Sequence, residues 1–272
     1  MLKKSILPRM NNTYYNLITR TLLLVALLTG VLSANAQEPE GSKAVYHFDG
    51  NVSVTNNGFS FIPLFSLGKP AAVVNLSVGG DRFGFEPQFR FDLDGFKPWS
   101  FIFIWRYTLI QKENFQVKVG LHLPTYSFRE VSSQIDEETL TSLLPYRVMA
   151  TELMPTYTIS EHVSLGAYYI HGFALEKFDP TKHIDFLSLR AHFAELHISK
   201  QFYVNWNPEV YYLNLYGLNG FFTAQSISLA HERIPLSLST TMNILLKSEF
   251  EAKAFNWNIS LVYSFSNELT KK

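Results

Sequence analysis

The sequence contains no cysteine. Disulfides, thiolate metal sites and thiol nucleophiles are therefore excluded, and stability must come from hydrogen bonding and packing. Charge is sparse, at 17% of the 272 residues, and balanced, with 23 basic side chains against 23 acidic ones. The basic excess of a nucleic-acid-binding protein is missing, so no nucleic-acid partner is expected. The longest apolar run, Leu22 to Leu32, is too short for a membrane-spanning helix, which needs about 20 residues. There is no Pro/Ser-rich linker, which favours one continuous domain. Catalytic and cofactor signatures are absent too: no G-x-S-x-G, no phosphate loop ending in Gly-Lys-Ser/Thr, no H-E-x-x-H. His231-Glu232 lacks a second histidine, and His192 and His197 are an odd number apart, so a regular strand would turn them opposite ways. No catalytic residue, metal or cofactor is expected.

What is present is apolar and strongly patterned. Hydrophobic residues make up 47% of the chain and aromatic residues 15%, enough for a large buried or lipid-covered surface. Residues 1–36 carry Lys3, Lys4, Arg9 and Arg20, no acidic residue, the run Thr21 to Leu32 and then Ala34-Asn35-Ala36. This is the layout of a secretory signal cleaved before Gln37. Its loss leaves a mildly negative mature chain. Residues 37–57 are polar and read as a periplasmic lead-in or a plug, and residues 266–272 as a periplasmic tail.

Between them, alternation of apolar and polar residues recurs without a convincing helix. In Phe83 to Leu93, Phe83, Phe85, Phe89, Phe91 and Leu93 alternate with Gly84, Glu86, Gln88, Arg90 and Asp92. The same rule governs Trp99 to Ile110, Phe115 to Leu123 and Leu236 to Lys247. Adding Phe59 to Leu67, Ala71 to Val78, Tyr146 to Ile159, Val163 to Ala174, His183 to Leu196, Phe202 to Tyr216, Phe221 to Ala230 and Phe255 to Phe265 gives about twelve strands, within a range of ten to fourteen. His183 to Leu196 alternates poorly, which predicts a bulge. Pro63, Pro87, Pro155 and Pro208 inside strands predict lapses in the hydrogen-bond ladder. Connections after even-numbered strands are short, and the longest, residues 129–145, follows an odd one, the asymmetry of a bacterial barrel whose termini share one side.

The last of these stretches is the most telling. Phe255, Trp257, Ile259, Leu261, Tyr263 and Phe265 share one face, and Asn256, Asn258, Ser260 and Ser264 fall on the other. It resembles the aromatic-ended final strand by which Gram-negative outer-membrane β-barrels are recognised for assembly, and the chain as a whole resembles a small porin-like member of that group. The resemblance implies an all-β, transmembrane, antiparallel up-and-down barrel over residues 58–265. It also implies a place in the outer membrane, with outer-membrane lipids and the barrel assembly machinery as partners.

On that fold Glu86, Arg90, Asp92, Arg106, Lys118, His122, Glu152, Arg190, His192, Glu209 and Lys247 take the face opposite the aromatics, which makes them the candidate lumen lining. Either they pair across strands and fill the interior, or they line the path of a small polar solute. A hairpin bend centred on Phe96 would set Glu86 directly opposite Arg106. Trp99, Trp105, Tyr107, Trp206, Trp257 and Tyr263 suit girdles at the membrane interfaces, with sugar stacking as the alternative for aromatics in loops. A narrow passive channel is the first functional expectation. The alternatives are a lipid- or lipopolysaccharide-modifying barrel enzyme built on His171, and a non-conducting barrel whose surface loop 129–145 binds. The leader reading predicts that N-terminal sequencing or mass spectrometry of the exported protein finds Gln37 first; retention of residues 1–36 would refute it.

Overall fold

The computed structural model describes residues 45–135, 138–175 and 183–270; the expected leader lies outside them. Within them the chain forms twelve antiparallel strands closed into one barrel. The strands are β1 Val45–Thr55, β2 Ala71–Gly79, β3 Phe83–Asp92, β4 Lys97–Gln111, β5 Phe115–Ile135, β6 Glu138–Ser160, β7 Val163–Ala174, β8 Ile184–His197, β9 Phe202–Leu215, β10 Leu218–His231, β11 Ile234–Ser248 and β12 Phe255–Thr270. Each pairs with its neighbours in sequence, and β1 closes on β12 from Val45↔Thr270 to Thr55↔Ser260. We call the end carrying Val45 and Thr270 the terminal end and the other the far end.

Two boundaries differ from the sequence reading. The expected lead-in holds a full strand, β1, because His47, Asp49, Asn51, Ser53 and Thr55 alternate with Tyr46, Phe48, Val52 and Val54 once paired with β12. The expected tail is the end of β12, and residues 266–270 are what β1 pairs with. Conversely, Phe59 to Leu67 is not a strand but part of the β1–β2 connection, with a single 3-10 turn at Pro63–Phe65. One strand gained and one lost leave the count unchanged. The polar stretch 129–145 is no open loop either: β5 and β6 run on as a paired hairpin through Ile135↔Glu138.

The outer face carries the aromatic and aliphatic rows. Phe83, Trp105, Leu189, Val210 and Leu261 are all exposed there. Over β3 and β4 the rings of Phe83, Trp105, Phe85, Phe103, Phe89, Phe101 and Phe91 touch one another in a stripe. The strand prolines sit where the ladder lapses on one side. Pro87 pairs with Phe103 while β2–β3 pairing is interrupted, Pro155 pairs with Val117 while β6–β7 pairing is interrupted, and Pro208 pairs with Gln225 while β8–β9 pairing is interrupted. A residue without an N–H can bridge to only one neighbour in such a ladder. β8 carries the expected bulge, between Phe193 and Leu196, with Glu195 at φ 50°.

Bulges also overturn two facing assignments. The β3–β4 register shifts at Arg90/Phe91, and Trp99, expected outside among the girdle aromatics, is 5% exposed and points inward. The β10–β11 register shifts at Phe221/Phe222, so Lys247, expected in the lumen, pairs with Phe221 on the outer face. Arginine in place of Phe103 is expected to cost roughly 2–4 kcal/mol if that face meets hydrocarbon near the midplane. Denaturant titration of the variant in lipid vesicles measures this, and full tolerance would overturn the outward placement of the aromatic rows.

Candidate functional site

The lumen is filled differently at its two ends. At the far end the β1–β2 connection, residues 56–70, folds inward. Its base is closed by Gly58 N–H donating to Lys69 O (2.7 Å) and by Leu67 N–H donating to Gly58 O (2.8 Å). A Cβ on Gly58 would stand 2.9 Å from Ala71 Cβ and 3.0 Å from the Trp99 ring, so no larger residue fits there. The segment is tied to β12 by Asn57 Nδ2, which donates to Asn256 Oδ1 (2.9 Å) and Trp257 O (2.8 Å), and to β4 by Trp99 Nε1 donating to Phe65 O (3.0 Å). Phe61, Ile62 and Phe65 then pack on an apolar patch of the inner wall made by Ile184, Phe186, Tyr211, Leu213, Leu215 and Phe222. Burying this much apolar surface holds the segment against the wall. Its signal in the sequence is β9, where Tyr211-Tyr212-Leu213 and Leu215 are apolar on both faces, which a strand facing a wet lumen would not be.

Toward the terminal end the inner wall is charged. Glu152 of β6 is the hub, with no side-chain exposure. It accepts from Arg106 Nε (2.5 Å) and Nη2 (3.3 Å) of β4 and from Tyr168 OH (2.6 Å) of β7, and it lies 2.8 Å from His122 Nε2 of β5. Arg106 Nη1 also donates to Glu86 of β3. The pair is not opposed as the Phe96-centred bend predicts: Glu86 faces Ile104 and Arg106 faces Gly84. The contact is diagonal, within the reach of long side chains. The offset arises because the bend lies nearer Asp94-Gly95, with the bulge at Arg90/Phe91 absorbing a residue. Gly120 makes room for the hub, since a Cβ there would lie 2.4 Å from Glu152 Oε1.

The remaining candidates fall around this network. Arg190 of β8 stacks over Tyr168 at 4.9 Å and stands opposite Glu209 of β9; both line a polar cavity of about 390 Å³ with His192 and Asn207. Lys118 lines a cavity of about 400 Å³ at the terminal end with His47, Glu86, Arg106 and Glu268. Arg90 lies nearer the far end, its guanidinium 5.3 Å over the Trp99 ring and donating to Gln88 Oε1 (2.8 Å). Asp92 is buried at the far rim, where it accepts from Asp94 N–H (2.8 Å) and pairs with Lys69 of the inward segment (3.6 Å). Lys247 takes no part, being outside.

Away from the terminal end, where Glu268 of β12 lines the cavity beside Lys118, the wall of β10, β11, β12, β1 and β2 presents the neutral side chains Ser226, Thr241, Asn258, Ser260, Asn51, Ser53 and Asn75. Between that neutral wall and the inward segment lies a cleft of about 480 Å³, with Asn57, Phe59 and Phe61 on the segment's side. His171 stands on the outer face and bonds Asp185 Oδ1 (2.8 Å), which also accepts from Tyr169 OH (2.7 Å). A barrel enzyme built on His171 would need a nucleophile there; among the described residues His171 contacts Asp185 and the rings of Phe173 and His183.

No family model matches the chain, and no curated protein matches it. Among solved structures it is similar to the NanC porin, at TM-score 0.45 and 10% identity over 83% of this chain and 100% of that one. It is also similar to the KdgM porin, at 0.46 and 10% over 80% and 99%, and to an outer membrane channel from Pseudomonas putida F1, at 0.44 and 11% over 85% and 98%. The barrel described above rests on its own strand pairing.

Removing Glu152 leaves Arg106 short of its main partner inside the wall, so Glu152→Ala is expected to cost about 3–5 kcal/mol. Glu86→Ala should cost far less, because Arg106 keeps Glu152 and Glu86 is partly exposed. Gly120→Ala should resemble Glu152→Ala in direction, through displacement of the carboxylate. Unfolding titrations of the three variants in vesicles measure this; equal costs for the Glu86 and Glu152 changes would refute the hub.

Proposed function

We propose that the protein is an outer-membrane barrel of a Gram-negative bacterium, acting as a narrow channel for passive diffusion of small polar solutes. The observation that carries this reading is the cleft left beside the inward segment. The segment packs its apolar side chains chiefly against β8–β10, and beside it lies a polar cleft lined by amides and hydroxyls. Polar cavities continue toward the terminal end along both sides of the charged belt, and the one near Arg190 abuts the cleft at Ser226.

Twelve strands suit such a role. A barrel of about eight is filled by its own side chains and one of sixteen to eighteen holds an open channel; a segment folded into an intermediate lumen narrows it without sealing it. Opposite charges along the belt are largely paired, as Glu86, Arg106 and Glu152 are, so weak ion selectivity is expected. The outer membrane as location is supported by the closed barrel with its apolar outer rows, and by the leader-like N-terminal stretch and the aromatic row of the final strand in the sequence. Delivery by the barrel assembly machinery follows from the same strand. Purified protein in planar bilayers should give small discrete conductance steps. Deleting residues 59–67 and joining the ends with a short Gly/Ser linker should raise them several-fold. Absence of conductance from both proteins would overturn the channel reading in favour of a closed barrel.

A further inference from the structure

The cleft beside the inward segment has two unlike walls, and their chemistry narrows the solute. On the barrel side Asn75 Nδ2 donates to Asn51 Oδ1 (2.9 Å), which leaves Asn75 Oδ1 and Asn51 Nδ2, on two residues that line the cleft, with capacity for a further partner. Asn258 Oδ1 accepts from Thr241 N–H (2.9 Å), which leaves its Nδ2. Ser53 and Ser260 line the same wall. These are donors and acceptors in a row, half-buried, and they bear no charge. Confined polar groups of this kind need a partner, either water or the hydroxyls of a solute.

The segment's side offers rings instead. Phe59 meets Phe61 edge-on at 6.0 Å, and Phe61 is fixed in turn by Phe186 and Tyr211. No carboxylate lines the cleft among the described residues, and its one cation, Arg90, is occupied by Gln88 and by the Trp99 ring. A solute matched to both walls carries an array of hydroxyls on its edge and an apolar face that lies on a ring. Small-molecule sites run from roughly 300 to 1,000 Å³, and the cleft, at about 480 Å³, falls in that range.

We infer that the cleft is a binding subsite for a neutral saccharide ring, held between the amide row and Phe59 during passage, an inference that rests on the channel reading. Binding there is weak and transient, since a path that holds its solute tightly does not conduct. The amides of Asn51, Asn75 and Asn258 take the ring hydroxyls, and the Phe59 face takes its C–H side.

The test is the ion current through the purified protein in planar bilayers, titrated with methyl glucoside, sodium glucuronate, or polyethylene glycol of similar size. Methyl glucoside should reduce the current saturably, and polyethylene glycol should not. Asn75→Leu and Phe59→Ala should each raise the half-blocking concentration about tenfold, read as the fraction of each variant's own sugar-free current. Folding is checked by the heat-dependent shift of the barrel on a gel, and if Asn75→Leu fails to fold, Phe59→Ala, which lies in a connection, decides the matter. A conducting protein with no saturable block, or a block unchanged by the folded variants, refutes the saccharide subsite and leaves the channel standing. Block by glucuronate at tenfold lower concentration than methyl glucoside overturns the neutral assignment. A protein that never conducts removes the channel reading itself.

Discussion

Closure of the sheet is the constraint from which the rest follows. In a hydrocarbon surround each unpaired backbone N–H or C=O is costly, so a spanning sheet must have no edge. Here the edge is removed by β1 pairing with β12 over its whole length, Val45↔Thr270 to Thr55↔Ser260. The residues beyond the terminal aromatic, Ser266 to Thr270, are therefore part of the seam. A chain cut at Phe265 would leave Val45 to Asp49 without partners on one side.

Closing twelve strands creates an interior too wide for side chains projecting from the wall alone. Two fillings divide it by height. Toward the far end the connection 56–70 supplies Phe61, Ile62 and Phe65 to the apolar wall of β8–β10, and that side of the interior is packed as a soluble core is. Below it, long charged side chains reach across several strands and meet at Glu152, whose four contacts come from three residues on three other strands and leave no oxygen without a partner. A buried carboxylate is tolerable only under such saturation.

Strand number, termini on one side and the polar and apolar faces of most strands were legible because alternation at period two survives wherever the ladder is regular. What escaped lies where an inner surface is itself apolar. Phe59, Phe61 and Phe65 have strand spacing, yet they serve a core inside the barrel, and periodicity cannot tell an aromatic that faces lipid from one that faces another aromatic indoors. Val45 to Thr55 was hidden by the opposite cause, since Gly50 and Asn51 dilute its contrast. Of the candidate site, Glu86, Arg106, His122 and Glu152 could each be placed on the inner face by parity. Their convergence could not, because the Glu86–Arg106 contact is diagonal and depends on a register that only the turn and its bulge determine.

The same irregularities that defeat parity build the passage. A bulge advances one strand by one residue against its neighbour and turns a side chain to the other face. At Arg90/Phe91 that turn brings Trp99 indoors, where its indole N–H holds Phe65 O and its ring lies under Arg90. The indole thus joins the wall to the inward segment and also occupies the one cation in the cleft. With Trp99 outside, as regular alternation would have it, the segment would lose its tie to β4 and Arg90 would face the passage with its charge uncovered. The neutral character of the cleft therefore depends on a backbone defect in the wall as much as on the amides and hydroxyls that line it.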